Sequence, residues 1–217
     1  MKIHRIPSTL CLTLLPAGFA AEQAGGPAPE LALKLLMAGN QRYAASAPKH
    51  PHSTAVRRKE LAKGQHPIAA VLGCSDSRIP PEILFDQGLG DIFVVRSAGN
   101  TAGEEALGSL EYAAEHLGVK LILVLGHSRC GAVDATVKGG HAGNHIDKLM
   151  AEIQPAVDKV KGQGGDVVDH AIDANIAGVV AQLKASHPTL AELVEQGKIQ
   201  VRGARYDLTT GRVKLLD

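Results

Sequence analysis

Two stretches decide the fold: Ile68-Ala69-Ala70-Val71-Leu72-Gly73-Cys74-Ser75-Asp76-Ser77-Arg78 and Leu121-Ile122-Leu123-Val124-Leu125-Gly126-His127-Ser128-Arg129-Cys130-Gly131. Each opens with five apolar residues without alternation and closes in a polar cluster. Short continuous apolar runs are the pattern of strands buried on both faces of a parallel sheet. A third run, residues 92–95, lies between them. In an open α/β sheet ligands gather at the carboxyl ends of strands, so both polar clusters are expected to face one crevice.

That convergence puts two thiols and one imidazole within reach of each other. Cys74, His127 and Cys130, 53 residues apart and then three apart, supply three corners of a zinc tetrahedron and leave one position open, the pattern of a catalytic zinc. Two thiolates neutralise the metal's charge, so a water there is expected to be less acidified than at an all-imidazole site, with activity favouring alkaline pH. Asp76 stands two residues from Cys74 and can become the fourth ligand in a closed state, while Arg78 can hold the carboxylate off the metal as a bidentate pair. The same residues also read as a Cys74–Cys130 disulfide, with Cys-Ser-Asp-Ser an ordinary turn and His127 a core histidine. Spacing alone leaves both readings open.

Outward from these runs, residues 101–117 carry Leu107, Leu110, Ala114 and Leu117 on one helical face, with Thr101 and Glu104 as a capping box, which makes a βαβ unit. Leu31, Leu35 and Ala38 predict an N-terminal helix ending at Gly39-Asn40 or slightly beyond. The basic run over residues 46–63 reads as a solvated arm or short helix. Ile172, Ile176, Val179, Val180 and Leu183 stripe a later helix, and residues 190–194 suggest another. Residues 199–216 read as two strands turning near Thr210-Gly211. Arg96, at a strand end, is assigned to a buried carboxylate or a subunit interface.

At 217 residues, 45% hydrophobic and 21% charged, the chain is long and apolar enough for one globular domain. A net charge of +1, 3% aromatic content and no Trp supply neither a phosphate-binding field nor a stacking platform, so nucleic acid is not an expected partner. Residues 1–20 have the charged start, short apolar core and small-residue end of a signal peptide, residues 21–29 read as a linker, and residues 30–217 as the catalytic domain. The apolar core is too short for a stable membrane anchor, and the expected location is periplasmic or secreted. Cleavage removes Lys2, Arg5 and Cys11 and no acidic residue, moving the net charge from +1 to −1 and leaving two cysteines in an oxidising compartment.

Together, Cys74-Ser75-Asp76-Ser77-Arg78, Phe93-Val94-Val95-Arg96-Ser97-Ala98-Gly99-Asn100, Glu111-Tyr112, Gly126-His127-Ser128-Arg129-Cys130-Gly131-Ala132 and Tyr206-Asp207-Leu208 resemble the β-class carbonic anhydrases, from roughly residue 30 to the end. The resemblance implies an α/β fold: a mostly parallel β-sheet of four to five strands flanked by α-helices. It also implies a homodimer or dimer-based higher oligomer, one zinc per chain on Cys74, His127 and Cys130, and catalytic roles for Asp76 and Arg78. The implied reaction is reversible hydration of carbon dioxide to bicarbonate and a proton by zinc-bound hydroxide.

Gln65, Phe93, Tyr112 and Gly131 fall at the substrate pocket, which in the plant-type branch is assembled with a neighbouring subunit. Ala98 stands where a larger aliphatic residue often lines that pocket. The tryptophan used by one branch for a regulatory bicarbonate site is missing here. Two other readings are a related zinc hydrolase acting on a sulfur analogue such as carbon disulfide, and a noncatalytic metal or redox protein. No proton shuttle identifies itself, and His66 is read as a plain loop histidine.

Overall fold

A computed structural model describes residues 25–141 and 143–216, so the signal-peptide reading falls outside the described residues. In chain order the elements are α1 (Pro29–Ala44), α2 (Ala55–Leu61), β1 (Ala69–Cys74), α3 (Pro81–Leu84), β2 (Ile92–Ser97), a 3-10 turn (Ala98–Asn100), α4 (Glu104–Glu115) and β3 (Leu121–His127). There follow α5 (Gly131–Lys138), α6 (His145–Val160), α7 (Val167–Lys184), α8 (Thr189–Glu195), β4 (Gln200–Tyr206) and β5 (Val213–Leu216). The strands form one sheet in the order β2-β1-β3-β4-β5, parallel except for β5. Among the described residues no helix is long and apolar enough to cross a membrane.

The two deciding stretches become adjacent central strands. β1 and β3 are buried along their whole length, and Gly73 pairs with Leu125, so Cys74 and His127 leave the sheet at the same end. β2 departs from the fully buried expectation: beyond Ile92 its residues are half-buried or exposed, because it is an edge strand with a neighbour on one side only. The polar run after α1 forms the short α2, as expected, and His52 and Arg57 pair with Asp91.

The N-terminal helix departs from the sequence reading in where it starts and in the face it buries. It starts at Pro29, inside the segment read as linker, whose Gly26 N–H is already tied to the Gly118 carbonyl at 2.9 Å. It also runs through Gly39-Asn40 to Ala44, and its buried face is Ala32, Leu36, Gly39 and Asn40, whereas Leu31 and Leu35 remain 50% and 42% exposed. Gly39 is there for contact, not termination: a Cβ would meet the Phe85 carbonyl oxygen at 1.7 Å. Asn40 joins two distant segments, donating to the Leu84 and Gly211 carbonyls and accepting from the Val213 N–H. Gly39→Ala is therefore expected to cost about 3 kcal/mol of folding stability by forcing α1 off α3, checked by denaturant titration.

Helix α4 also starts without the expected capping box. Gly103 is its N-cap with no side-chain bond, while Thr101 Oγ1 turns away to donate to Ser97 Oγ at 3.2 Å, and the buried face centres on Ala106, Leu110 and Ala113. Thr101 is drawn into fastening the turn after β2, where Ser97 Oγ donates back to the Thr101 carbonyl at 2.6 Å.

Asp86 is a buried junction between α1 and the loop that precedes α2. Burial alone would raise its carboxyl, but the Lys49 and His50 N–H groups and the Arg42 guanidinium at 2.6 Å outweigh it and hold the carboxyl below its usual range. A depressed carboxyl contributes stability that is fully present above its unfolded pKa, near 4, and is lost as pH falls through the folded value. Asp86→Asn is thus expected to lower stability at pH 7 and to flatten its decline as pH falls below about 4, measured by denaturation at stepped pH.

Candidate metal centre

Each ligand candidate sits where a strand ends. Cys74 is the last residue of β1, His127 the last of β3, and Cys130 the N-cap of α5. All three are almost fully buried, at 3%, 0% and 2% exposure, and their ligating atoms lie within 4.8 Å of one another. The two sulfurs are 4.0 Å apart, far beyond a disulfide bond, and both thiols are free. Tetrahedral zinc with Zn–S bonds of about 2.3 Å would place them about 3.8 Å apart, close to what is found.

The imidazole bears on the choice between a core histidine and a ligand. His127 Nδ1 lies 2.9 Å from the Ser128 carbonyl, which can only accept, so Nδ1 carries the proton and Nε2 presents its lone pair. That Nε2 is buried and has no hydrogen-bond partner, an arrangement that costs free energy unless something electrophilic occupies the space between it and the sulfurs. Ser128 is itself anchored to β4: its N–H donates to the Tyr206 carbonyl and its Oγ accepts from the Leu208 N–H. The C-terminal Tyr206-Asp207-Leu208 motif thus fixes the loop that aims His127.

Electrostatics favour a thiolate at Cys74. A hydrogen bond from Cys130 is the largest influence lowering its pKa; burial opposes, and the Gly99 N–H at 3.1 Å adds to the lowering. The remaining proton of the pair resides on Cys130, whose pKa is raised by its bond to Cys74 and by burial. The first-turn N–H groups of Ala132 and Val133 work in the other direction on that sulfur and offer it a partly positive surrounding.

Asp76 is held by Arg78 three times over: Oδ1 accepts from the Arg78 N–H and Nε, both at 2.9 Å, and Oδ2 accepts from the guanidinium at 2.6 Å. This pairing keeps the Asp76 carboxyl ionised, well below the usual carboxylate range. Its Oδ2 stands 3.8 Å from His127 Nε2, beside the three ligands but outside the group they form. Arg96 donates to the main-chain carbonyls of Cys74 at 2.9 Å and Asp76 at 2.5 Å and so braces this loop from the neighbouring strand.

The pocket residues are not brought to the metal centre of their own chain. Gln65 is exposed and precedes β1, at the opposite end of the strand from Cys74. Phe93 pairs with Ala70, four strand residues or about 13 Å below the level of Cys74. Its ring lies 6.3 Å from that of Tyr112 on α4, which is 47% exposed, and His116 one turn later lies 5.2 Å from Tyr112. Gly131 alone adjoins the ligands, as the first residue of α5 with open space where a Cβ would point. Ala98 opens the 3-10 turn and His66 is exposed. A cavity of about 440 Å³ lies at the amino ends of the strands, between Gly118, Leu193 and Ile199, away from all of this chemistry.

The sequence profile of the carbonic anhydrase family matches residues 69–213, which holds every ligand candidate. The chain belongs to the carbonic anhydrase family. It is 40% identical over 193 residues to carbonic anhydrase 2 of Mycobacterium tuberculosis, covering 87% of this chain and 93% of that one. Among solved structures it resembles the Coccomyxa β-carbonic anhydrase in complex with acetazolamide, with a TM-score of 0.68, 29% identity, and coverage of 85% and 86% of the two chains. A tetrameric β-carbonic anhydrase of Sordaria macrospora aligns with a TM-score of 0.66 and 27% identity, over 86% and 94%. As a β-class carbonic anhydrase this enzyme is a lyase for carbon dioxide hydration, and its mostly parallel five-stranded sheet is the fold of those relatives.

Proposed function

We propose that this carbonic anhydrase works with one zinc per chain, held by Cys74, His127 and Cys130, and reversibly converts carbon dioxide and water to bicarbonate and a proton. The observation that carries the reading is the buried, unpartnered Nε2 of His127 facing two free thiols, with an Arg78-held carboxylate alongside. Zinc would supply the Lewis acidity that lowers the pKa of water and makes it a nucleophile. Asp76, kept ionised by Arg78, accepts a hydrogen bond from the attacking water and so orients its lone pair toward the carbon. Arg78 also restrains Asp76 from moving in as a fourth ligand, and Arg96 holds the backbone from which both project.

The substrate side of the site is supplied by a second copy of the chain. Phe93 on the edge strand β2, Tyr112 on α4 and the exposed Gln65 ahead of β1 all lie too far from Cys74 of their own chain to line its metal centre, which supports a neighbouring subunit bringing an amide and two apolar rings to each site. Export follows from the leader at residues 1–20, and the two thiols must take up zinc before an oxidising compartment joins them.

Stopped-flow hydration of carbon dioxide by the zinc-loaded protein tests the reading; a rate no higher than buffer would refute it. The shared site has its own test. His127→Ala and the double variant Gln65→Ala, Tyr112→Ala are each expected to be nearly inactive, while mixed dimers of the two regain activity, because one intact zinc then meets one intact pocket. Mixed assemblies as inactive as the separate variants would place the pocket within a single chain.

A further inference from the structure

Helix α7 covers the sheet with an apolar face of Ala171, Ile172, Ile176 and Val179, and one polar residue interrupts it. Asn175 is only 3% exposed. Burying a carboxamide costs free energy unless its hydrogen bonds are made, and nothing in the mechanism above uses it. Its Nδ2 donates to the Gly99 carbonyl at 2.8 Å, and the N–H of the same Gly99 donates to Cys74 Sγ at 3.1 Å. Gly99 lies in the left-handed region at φ +73°, where a Cβ would come within 2.6 Å of Ile153 Cδ1. Only glycine fits, and glycine by itself has the widest choice of backbone conformations, so the aim of its N–H has to be imposed from outside.

We propose that Asn175 is a positioning residue for the metal centre: by gripping the Gly99 carbonyl it holds the Gly99 N–H on the Cys74 sulfur and sets the direction and charge that this thiolate offers the metal. The inference rests on zinc binding at Cys74, His127 and Cys130. An N–H donated to a thiolate draws charge off the sulfur, which weakens its donation and leaves the metal more electrophilic. α7 thereby acts on a ligand that it does not touch.

The test compares full-length proteins carrying Asn175→Leu, a near-isosteric change without the donor, and Asn40→Leu, which removes a buried asparagine bridging main-chain groups far from the metal. Both are expected to lose folding stability. Only Asn175→Leu is expected to lower zinc affinity, by about tenfold in chelator competition, because the loss of the sulfur's fixed direction outweighs its stronger donation, and that stronger donation is expected to shift the thiolate-to-metal absorption of the cobalt(II)-loaded protein to longer wavelength. Equal zinc affinities and superimposable cobalt spectra in the two variants would overturn the proposal. A measurement on the wild type decides the matter should Asn175→Leu not fold. In protein loaded with cadmium-113, the Gly99 amide proton is expected to show scalar coupling to the metal across the N–H···S bond, and absence of that coupling would also overturn it. A wild-type protein that takes up no metal would instead defeat the zinc reading itself, along with this inference.

Discussion

His127→Ala is expected to remove zinc and activity together: zinc affinity falls by more than about 100-fold and carbon dioxide hydration drops to the rate of buffer. The size of the effect follows from what the imidazole leaves behind. Its Nε2 is the one neutral donor of the trio, held in the required tautomer by the Ser128 carbonyl and buried where water cannot easily take its place. Two thiols 4.0 Å apart remain, and without a third ligand they are free to close into a disulfide in an oxidising compartment. Native mass spectrometry checks both halves, showing one zinc per chain in the wild type and either no metal or a two-hydrogen mass loss in the variant. A variant that retained stoichiometric zinc and its turnover would mean that His127 is not a ligand.

Asp76→Ala is expected to separate the two properties that His127→Ala removes together. Zinc should stay, since the three ligand candidates are untouched, while kcat/KM for hydration falls by about 100-fold or more, the cost of losing the group that orients the attacking water. Loss of metal along with activity would show that the carboxylate has a ligand role that the structure does not give it. Arg78→Ala makes the complementary case. Freed from the guanidinium that binds both its oxygens, Asp76 is expected to move onto the metal as fourth ligand, and cobalt(II) spectra at low and high pH should then differ from those of the wild type. Unchanged spectra would count against Arg78 as the group that restrains it.

How much of this was legible in the sequence depends on how local the governing physics is. The convergence of Cys74, His127 and Cys130 was readable because a buried parallel strand announces itself as an apolar run, and the residue after that run must lie at its carboxyl end. Two such ends meet once the strands are neighbours, as β1 and β3 are. The face of α1 was not readable in this way: Leu31 and Leu35 have the right spacing, yet the helix turns Ala32, Leu36, Gly39 and Asn40 inward, because contact with Phe85 admits only a glycine and two distant segments need the Asn40 carboxamide. Thr101 was read as a cap from its spacing to Glu104, but the turn after β2 competes for its hydroxyl and wins.

The pocket residues show a different boundary. Resemblance selected Gln65, Phe93 and Tyr112 and implied a pocket assembled with a neighbouring subunit, but it did not say how far they stand from the ligand candidates of their own chain. That separation appears only when the register of β1 against β2 is known. Arg96, Ser128 and Asn175 act through main-chain groups, which no side-chain motif records. Asn175 left one trace in the sequence, as a polar residue interrupting the apolar stripe of Ile172, Ile176 and Val179.

The central claim is that a metal held by Cys74, His127 and Cys130 drives the hydration of carbon dioxide, and a single titration tests it most directly. Protein stripped of metal by chelator under reducing conditions is returned to zinc in steps while hydration is followed by stopped flow. Activity is expected to be absent at the start, to rise in proportion to zinc, and to level off at one equivalent per chain. Full activity in the stripped protein, or none after one equivalent is bound, would contradict the account.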